Sequence, residues 1–477
     1  MLKWRLIEVL RETLVWFGVA SSQKLPDRDV NSPARREIGS SDAVDLRLGA
    51  ALVEATLFWP TWVHRRVDSV EVLEGENGRR RHSVDCTPLD DPRLAYDRAN
   101  RGFAVVSEVN GPLMVPLMYI PKGPLRDFDA YTGSGAVMPV LGTRETTQCG
   151  VAMVLWMLHV DGVGYAHGLV EALEEIVGPN IASTESEVVR ELLQHGVWKG
   201  RQVVDPEIFS KPDSDARNLV ETLASAFLLV GLLDADTTGY RQVLKLSYHW
   251  HIPATAQSWG SAILIAAGFK TRLLRLRPDA GSATSSYHLE VRTPREADCV
   301  LVQLPGADDD GPGVDVSGMP VAHVYMKFDA DPTDDAVAIF RTPVWGLRGL
   351  AMIVAIFSCL TVLLALVLDD AMGVWRADPE GPATVLLVAP AVFFTFIAVR
   401  RESALLHRPL MTLRFAIAFA GISLLLVAAS IVGGLVDGWI HLLWWTVAVV
   451  NGAVFVFLLT GRLRELSEAP PIVRPGV

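Results

Sequence analysis

Histidine is the first side chain to test for chemistry, because it titrates and ligates metals near neutral pH. His249 and His251, in the segment YHWHIP, fall on one face if that segment is a strand, and His288 and His323 lie in neighbouring β segments of the same region. Imidazoles converging from these strands are a candidate zinc site. No further ligand stands at a recognisable metal spacing, and strand histidines beside Tyr and Trp also serve as packing positions. Cys86, Cys149, Cys299 and Cys359 are scattered, with no CxxC pair. Cys149 and His159 could act as a thiol and its base only on a shared helical face, yet ten residues rotate them roughly 80° apart. Ser134 stands in Gly-Ser-Gly without the GxSxG elbow of a nucleophilic serine. Gly162, Gly164 and Gly168 follow GxGxxxG with no strand before them, a loose imitation of a phosphate loop. Asp308, Asp309, Asp310 and Asp315 lack the ligand spacing and terminal Glu of a calcium loop and read as a solvated hairpin tip. The sequence thus names no catalytic residue and no cofactor, and it argues against an enzyme more than for one.

The elements that must carry these residues alternate in period. Residues 65–143 read as strands at 66–73, 81–87, 103–108, 113–120 and 125–131. Thr132, Gly133, Ser134 and Gly135 close a hairpin within DFDAYTGSGAVMPVL. From 144 to 233 the period is helical. Thr143 can cap a helix carrying Val151, Leu155 and Leu158, Thr184 with Glu187 makes a capping box before 188–195, and Ser214 can start a helix over 215–232. Strands resume at 240–250, 272–276, 286–292, 299–304, 322–328 and 336–341. The two β stretches are either separate domains around a helical insert or halves of one sandwich. At the start, Leu2, Leu6, Leu10, Leu14 and Phe17 recur at helical spacing, so residues 1–22 read as an amphipathic helix. Glu8, Arg11 and Glu12 interrupt what would otherwise resemble an export signal.

Four apolar stretches, 349–368, 383–399, 415–433 and 439–459, contain no Asp, Glu, Lys or Arg and hold 20, 17, 19 and 21 residues. A helix needs roughly 20 residues to cross a hydrocarbon core, so each is a candidate span. Basic residues mark cytoplasmic flanks. Arg341, Arg348, Arg400, Arg401, Arg408, Arg414, Arg462, Arg464 and Arg474 fall on one side of the four-span arrangement and Arg376 alone on the other. That bias predicts a multi-pass protein with both termini cytoplasmic. Within the spans the polar residues are small, and Asn451 is the amide at depth, suited to a hydrogen bond between helices. Ala351 with Ala355, and Ala416 with Ala420, allow close helix approach and self-association as a homo-oligomer.

Whole-chain charge is −11, and removing the nine basic and eight acidic residues from 344 onward leaves the soluble part at about −12. An acidic balance argues against nucleic acid, whose phosphates select basic patches. Only eight of the 43 basic residues are Lys, which reads as the codon bias of a GC-rich bacterial genome.

The succession RRVDSVEV, KGPLRDFDAYTGSGAVMPVL, RQVLKLSY, SYHLEV and AHVYMKF followed by apolar helices resembles an uncharacterised family of bacterial membrane proteins, over nearly all of the chain beyond residue 60. The resemblance implies a β-rich cytoplasmic region carried on C-terminal transmembrane helices in a bacterial plasma membrane, and it brings no activity or catalytic residues. The expected fold is α+β: a helical segment at 1–64, a β-rich, sandwich-like region at 65–143 and 234–343, a helical region at 144–233, a four-helix bundle at 344–461 and a tail at 462–477. The expected role is a membrane-anchored sensor, scaffold or interaction module whose partners are the lipid bilayer and a cytoplasmic protein or small ligand. The alternatives are a small-solute channel or transporter and a metal-dependent enzyme using the four histidines.

Overall fold

The computed structural model describes residues 46–467 except 74–76, 98–101, 104–111, 124, 162, 164–167, 181–182, 211–213, 238, 253–257, 277–283, 285, 295–296, 308–312, 318–319, 328–334, 344–345, 373–405 and 433–437. The helix expected at 1–22 and the apolar run 383–399 lie outside the described residues, as does most of the strand expected at 103–108.

The chain enters through α1 (Leu46–Leu57), then pairs β1 (Val63–Val72) with β2 (Asn77–Cys86) as an antiparallel hairpin. β3 (Leu113–Pro121) and β4 (Arg126–Thr132) follow, and after them α2 (Thr143–Val160), α3 (Gly168–Val177), α4 (Glu187–His195) and α5 (Asp215–Ser225). Next come β5 (Ala226–Leu233), β6 (Gln242–His251), α6 (Trp259–Ala267), β7 (Arg272–Leu276) and β8 (Tyr287–Arg292). β9 (Asp298–Gln303), β10 (Val321–Met326) and β11 (Ala336–Arg341) complete the β-rich region. Three long helices close the fold, α7 (Leu347–Met372), α8 (His407–Val432) and α9 (Gly438–Ser467).

Strands from both sides of the helical region join one six-stranded sheet in the order β10-β8-β1-β2-β6-β4. The two β stretches are therefore interleaved in one sheet and are not two independent sheets around an insert. β1 and β8 run parallel and the other neighbours antiparallel, so the sheet is mixed. β7, β11 and β9, with the short strand Val314–Asp315, form a second sheet. Val70, Leu289 and Val324 of the first sheet share a core with Leu274, Val302 and Phe340 of the second, which is sandwich-like packing in this half of the molecule.

Three helix expectations need correction. The helix begun at Ser214 stops at Ser225, and Ala226–Leu233 is a strand paired antiparallel with β3. Both partners are almost wholly apolar and buried, so the run AFLLVGLL has no polar face to declare its period. Ser214 does cap its helix, its Oγ accepting from the Arg217 amide at 3.4 Å. Thr143 is the first residue of α2 and Gly142 is its N-cap. Ser186, not Thr184, is the N-cap of α4, because the Ser183 hydroxyl and carbonyl take up the amides of Glu185 and Ser186 in a preceding turn. The hairpin at 132–135 forms as expected, with the Thr132 amide donating to Ala136 at 2.9 Å.

α7, α8 and α9 are each long and apolar enough to cross a membrane: the qualifying stretches are Leu347–Val367, His407–Val432 and His441–Ser467. Side-chain pairs fix their directions. Arg348 meets Leu458 and Glu465, while Ser430 meets Trp444 and Ser423 meets Asn451. Both α7 and α8 thus run antiparallel to α9 and parallel to each other. The first turn of α7, the first turns of α8 and the last turns of α9 lie at the end that adjoins the β-rich region.

Candidate functional site

Parity along β1 and β2 builds an unusual inner surface. Arg66 and Asp68 share a face with Val70 and Val72, and Arg80 and His82 share one with Val84 and Cys86, so four polar side chains point where the apolar ones point. All four are buried. His82 Nδ1 lies 2.6 Å from Asp68 Oδ1, and the Tyr287 hydroxyl donates to Asp68 Oδ2 at 2.8 Å. Arg66 donates through Nη2 to the Leu117 carbonyl at 2.5 Å and lies 5.7 Å from the Trp59 ring centroid; its Nε and Nη1 have no hydrogen-bond partner among the described residues. Arg80 lies 5.2 Å from the Trp250 ring centroid, and Tyr248 stacks on His82 at 5.6 Å. Gly78 makes room for Trp250, since a Cβ there would stand 2.3 Å from the indole nitrogen.

Burial alone would push the Asp68 carboxyl up, but the His82 ring, with Arg66 and Arg80, outweighs it and holds the group down at about 2. A carboxylate bonded to an imidazole can hold or pass a proton. A reaction would also need substrate within reach, and here Asp68 and His82 are 3% and 2% exposed. The arrangement serves as an internal clasp between β1, β2 and β8.

Sequence reasoning missed these residues because charge in a strand is ordinarily assigned to the solvent face. The signal lay in RRVDSVEV and RRRHSVDC, where Arg66 and Asp68 keep the parity of Val70 and Val72, and Arg80 and His82 that of Val84, although Arg65, Glu71, Arg79, Arg81 and Asp85 charge the other face as well.

The four histidines singled out by the sequence separate into two pairs. His288 Nδ1 stands 3.0 Å from His323 Nε2, with the rings stacked at 5.2 Å and Tyr325 stacked on both. His288 Nε2 faces the Ser286 hydroxyl at 2.8 Å. Partial burial, then Arg65 and His323, push the His288 ring below its ordinary value. On β6, His249 Nδ1 pairs with Asp127 at 2.8 Å, while His251 is exposed opposite Asn77. β1 and β2 lie between β8 and β6, a separation of three strand spacings or about 14 Å, so the four imidazoles do not converge. Among the described residues no group of three or more His, Cys, Asp or Glu could hold a metal ion.

The other residues weighed from the sequence fall as follows. Burial pushes the thiols of Cys86, Cys149 and Cys299 up to about 12, which keeps them protonated and unreactive near neutral pH. His159 sits at the far end of α2 from Cys149, about 15 Å along the axis, and packs against Trp156. Ser134 bonds to the Thr132 hydroxyl within the hairpin turn, and Gly168 opens α3. Gly162, Gly164 and Asp308 to Asp310 lie outside the described residues. Asp315 accepts the amides of Ser317 and His323, each at 2.8 Å, and so fixes a turn.

In the bundle, the Asn451 amide donates to Ser423 Oγ at 3.3 Å and to the Val447 carbonyl at 2.9 Å, joining α8 to α9. Where the helices meet the β-rich region, Arg348 is 1% exposed and pairs with Glu465 at 2.7 Å. Gly461 abuts the Ala267 carbonyl so closely that a Cβ would come within 1.9 Å, and Phe269 packs on Phe457 at 5.1 Å. One hydrophobic core runs without a break from Val291 and Phe340 through Ala267 to Ile417 and Val447.

These features define an α+β protein whose sheets share a core with three apolar helices of membrane-spanning length. Neither a protein-family profile nor a curated protein sequence matches the chain, so the resemblance drawn from the strand motifs extends to that architecture alone.

Proposed function

We propose that the chain is an integral membrane protein whose acidic β-rich region is carried on the cytoplasmic face by four membrane helices and acts there as a recognition module, a sensor or scaffold. The polarity of the helices carries this reading. Ile353, Phe357, Leu360, Leu364 and Val367 of α7 face outward, as do Phe415, Phe419, Ile422 and Leu426 of α8 and Leu442, Trp445, Val449 and Val456 of α9. Ser358, Ser423, Ser430 and Asn451 are turned inward. Apolar outside and polar inside is the arrangement that suits hydrocarbon and not water.

Two further observations support the finer features. Because α7 and α8 run parallel, the chain between them has to return to the side from which α7 departed, and residues 383–399 are apolar enough to make that crossing. Arg348, Arg408, Arg414, Arg462 and Arg464 stand at the helix ends beside the β-rich region, which favours its assignment to the cytoplasmic face. An anchor also fits the bundle better than a conduit does, since the Asn451 amide is engaged by a neighbouring helix and by its own.

Topology reporters fused after Pro343, within 369–382, after Arg401 and at the C-terminus test the proposal. The expected pattern is cytoplasmic, external, cytoplasmic and cytoplasmic. An external signal after Pro343 would overturn the orientation, and a cytoplasmic signal within 369–382 would overturn the span count.

A further inference from the structure

We propose that α6 is a second membrane contact of the β-rich region, lying in the headgroup layer with Trp259 and Ile263 among the acyl-chain ends; this rests on the reading of α7, α8 and α9 as membrane spans. The nine residues of α6 contain no charged group. Its inward face, Ala262, Ile265 and Ala266, is buried in the common core, while Trp259 and Ile263, one turn apart, are 52% and 45% exposed with Gly260 open beside them. A short helix that is apolar on both sides suits a surface that meets lipid.

Its position supplies the occupant. Trp259 packs against Phe415 at 6.5 Å, and Phe415 is the first member of the outward stripe of α8. The exposed face of α6 therefore adjoins the stripe assigned to lipid through the Trp259–Phe415 contact. At its other end α6 is held by Gly461 against the Ala267 carbonyl and by Phe269 on Phe457. Arg414 immediately precedes Phe415, and Lys270 is exposed just past α6, cations that suit the phosphate layer at that depth. An indole at this level keeps its ring in the apolar layer and its N–H near water. The β-rich region would then be fixed in height and tilt by α6 as well as by its link to α7.

The test uses the full chain with Cys359→Ser, reconstituted in phosphatidylcholine and phosphatidylglycerol vesicles, with an environment-sensitive fluorophore on Ile263→Cys, Phe419→Cys or Tyr240→Cys. Tyr240 is exposed just before β6, a ten-residue strand about 30 Å long, so it stands at the end of that strand away from the residues that precede α6 in the chain. The Ile263 label should be quenched by lipid carrying a nitroxide near the headgroup and shielded from aqueous iodide several-fold relative to the Tyr240 label. Quenching by iodide equal to that at Tyr240 overturns the proposal. Shielding from both quenchers overturns it too, because protein would then cover the face, whether a partner or a second copy. Lipid quenching at Phe419 in either of those cases leaves the membrane reading standing, whereas its absence there would sink the spans themselves.

Discussion

Asp68 is bonded to His82 and Tyr287 and stands near two guanidiniums, so its removal would leave Arg66 and Arg80 buried without this counter-charge. Breaking a buried ion network from one side costs about 3–5 kcal/mol, and Asp68→Ala should lower the thermal unfolding midpoint in detergent accordingly. An unchanged midpoint would show that the clasp is not structural. The same carboxylate predicts a pH dependence. Its folded value, about 2, lies below the ordinary 3.8, so the stabilisation is fully present above pH 4 and is lost as pH falls toward 2. It amounts to about 2 kcal/mol. Protection of β1 and β2 against hydrogen exchange, measured relative to the intrinsic exchange rate at each pH, should fall over that window, and Asp68→Asn should flatten the response; an equally steep response in the variant would move its origin elsewhere. Strand parity places this site on the face of Val70, Val72 and Val84, but charges of both parities in these strands hid it, and the histidines that drew attention by type alone lie on the opposite face.

At the scale of elements, glycine marks where two backbones must touch. A Cβ at Gly49 of α1 would lie 2.1 Å from the Ala152 carbonyl oxygen of α2, and backbone cannot swing aside as a side chain can. Gly49→Ala should destabilise by about 1–3 kcal/mol, the usual cost of overpacking. A Cβ at Gly260 of α6 would meet nothing within 4 Å among the described residues, so Gly260→Ala should stabilise by up to about 1 kcal/mol through helix propensity. The two variants, compared by unfolding midpoint in one detergent, should move in opposite directions; a common direction would refute the packing argument. The elements also show where periodicity succeeds and where it fails. Most strands of the six-stranded sheet were legible, since their turn signals and β-branched runs survive whatever packs on them. β5 was not, because a strand covered on both faces loses the alternation that distinguishes it from a helix. α6 was missed for a related reason: SWGSAILIAA has no polar face, and the feature that hides it in sequence is the one that suits it to lipid.

For the whole molecule the informative feature is the junction between the β-rich region and the helices. Arg348 stands in the first turn of α7 and Glu465 in the last turn of α9, so each charge occupies the helix end whose dipole disfavours it. Their salt bridge at 2.7 Å makes each the other's compensation, directly beneath Gly268 at the end of α6. Arg348 is the more buried partner, so Glu465→Ala, which strands that cation, should cost more than Arg348→Ala, and the double variant should cost less than the two singles added together. Unfolding midpoints and hydrogen exchange in α6 give the comparison. If the pair clamps the region to the bundle, exchange in α6 rises in both single variants and partly recovers in the double. Strict additivity would mean that the bridge is incidental and that Gly461 and Phe269 hold the junction alone. The outcome bears on how the proposed recognition module would signal. With a clamped junction and a continuous core, an event on the sheet displaces the helices as one body, whereas a loose junction would leave the bundle a passive anchor.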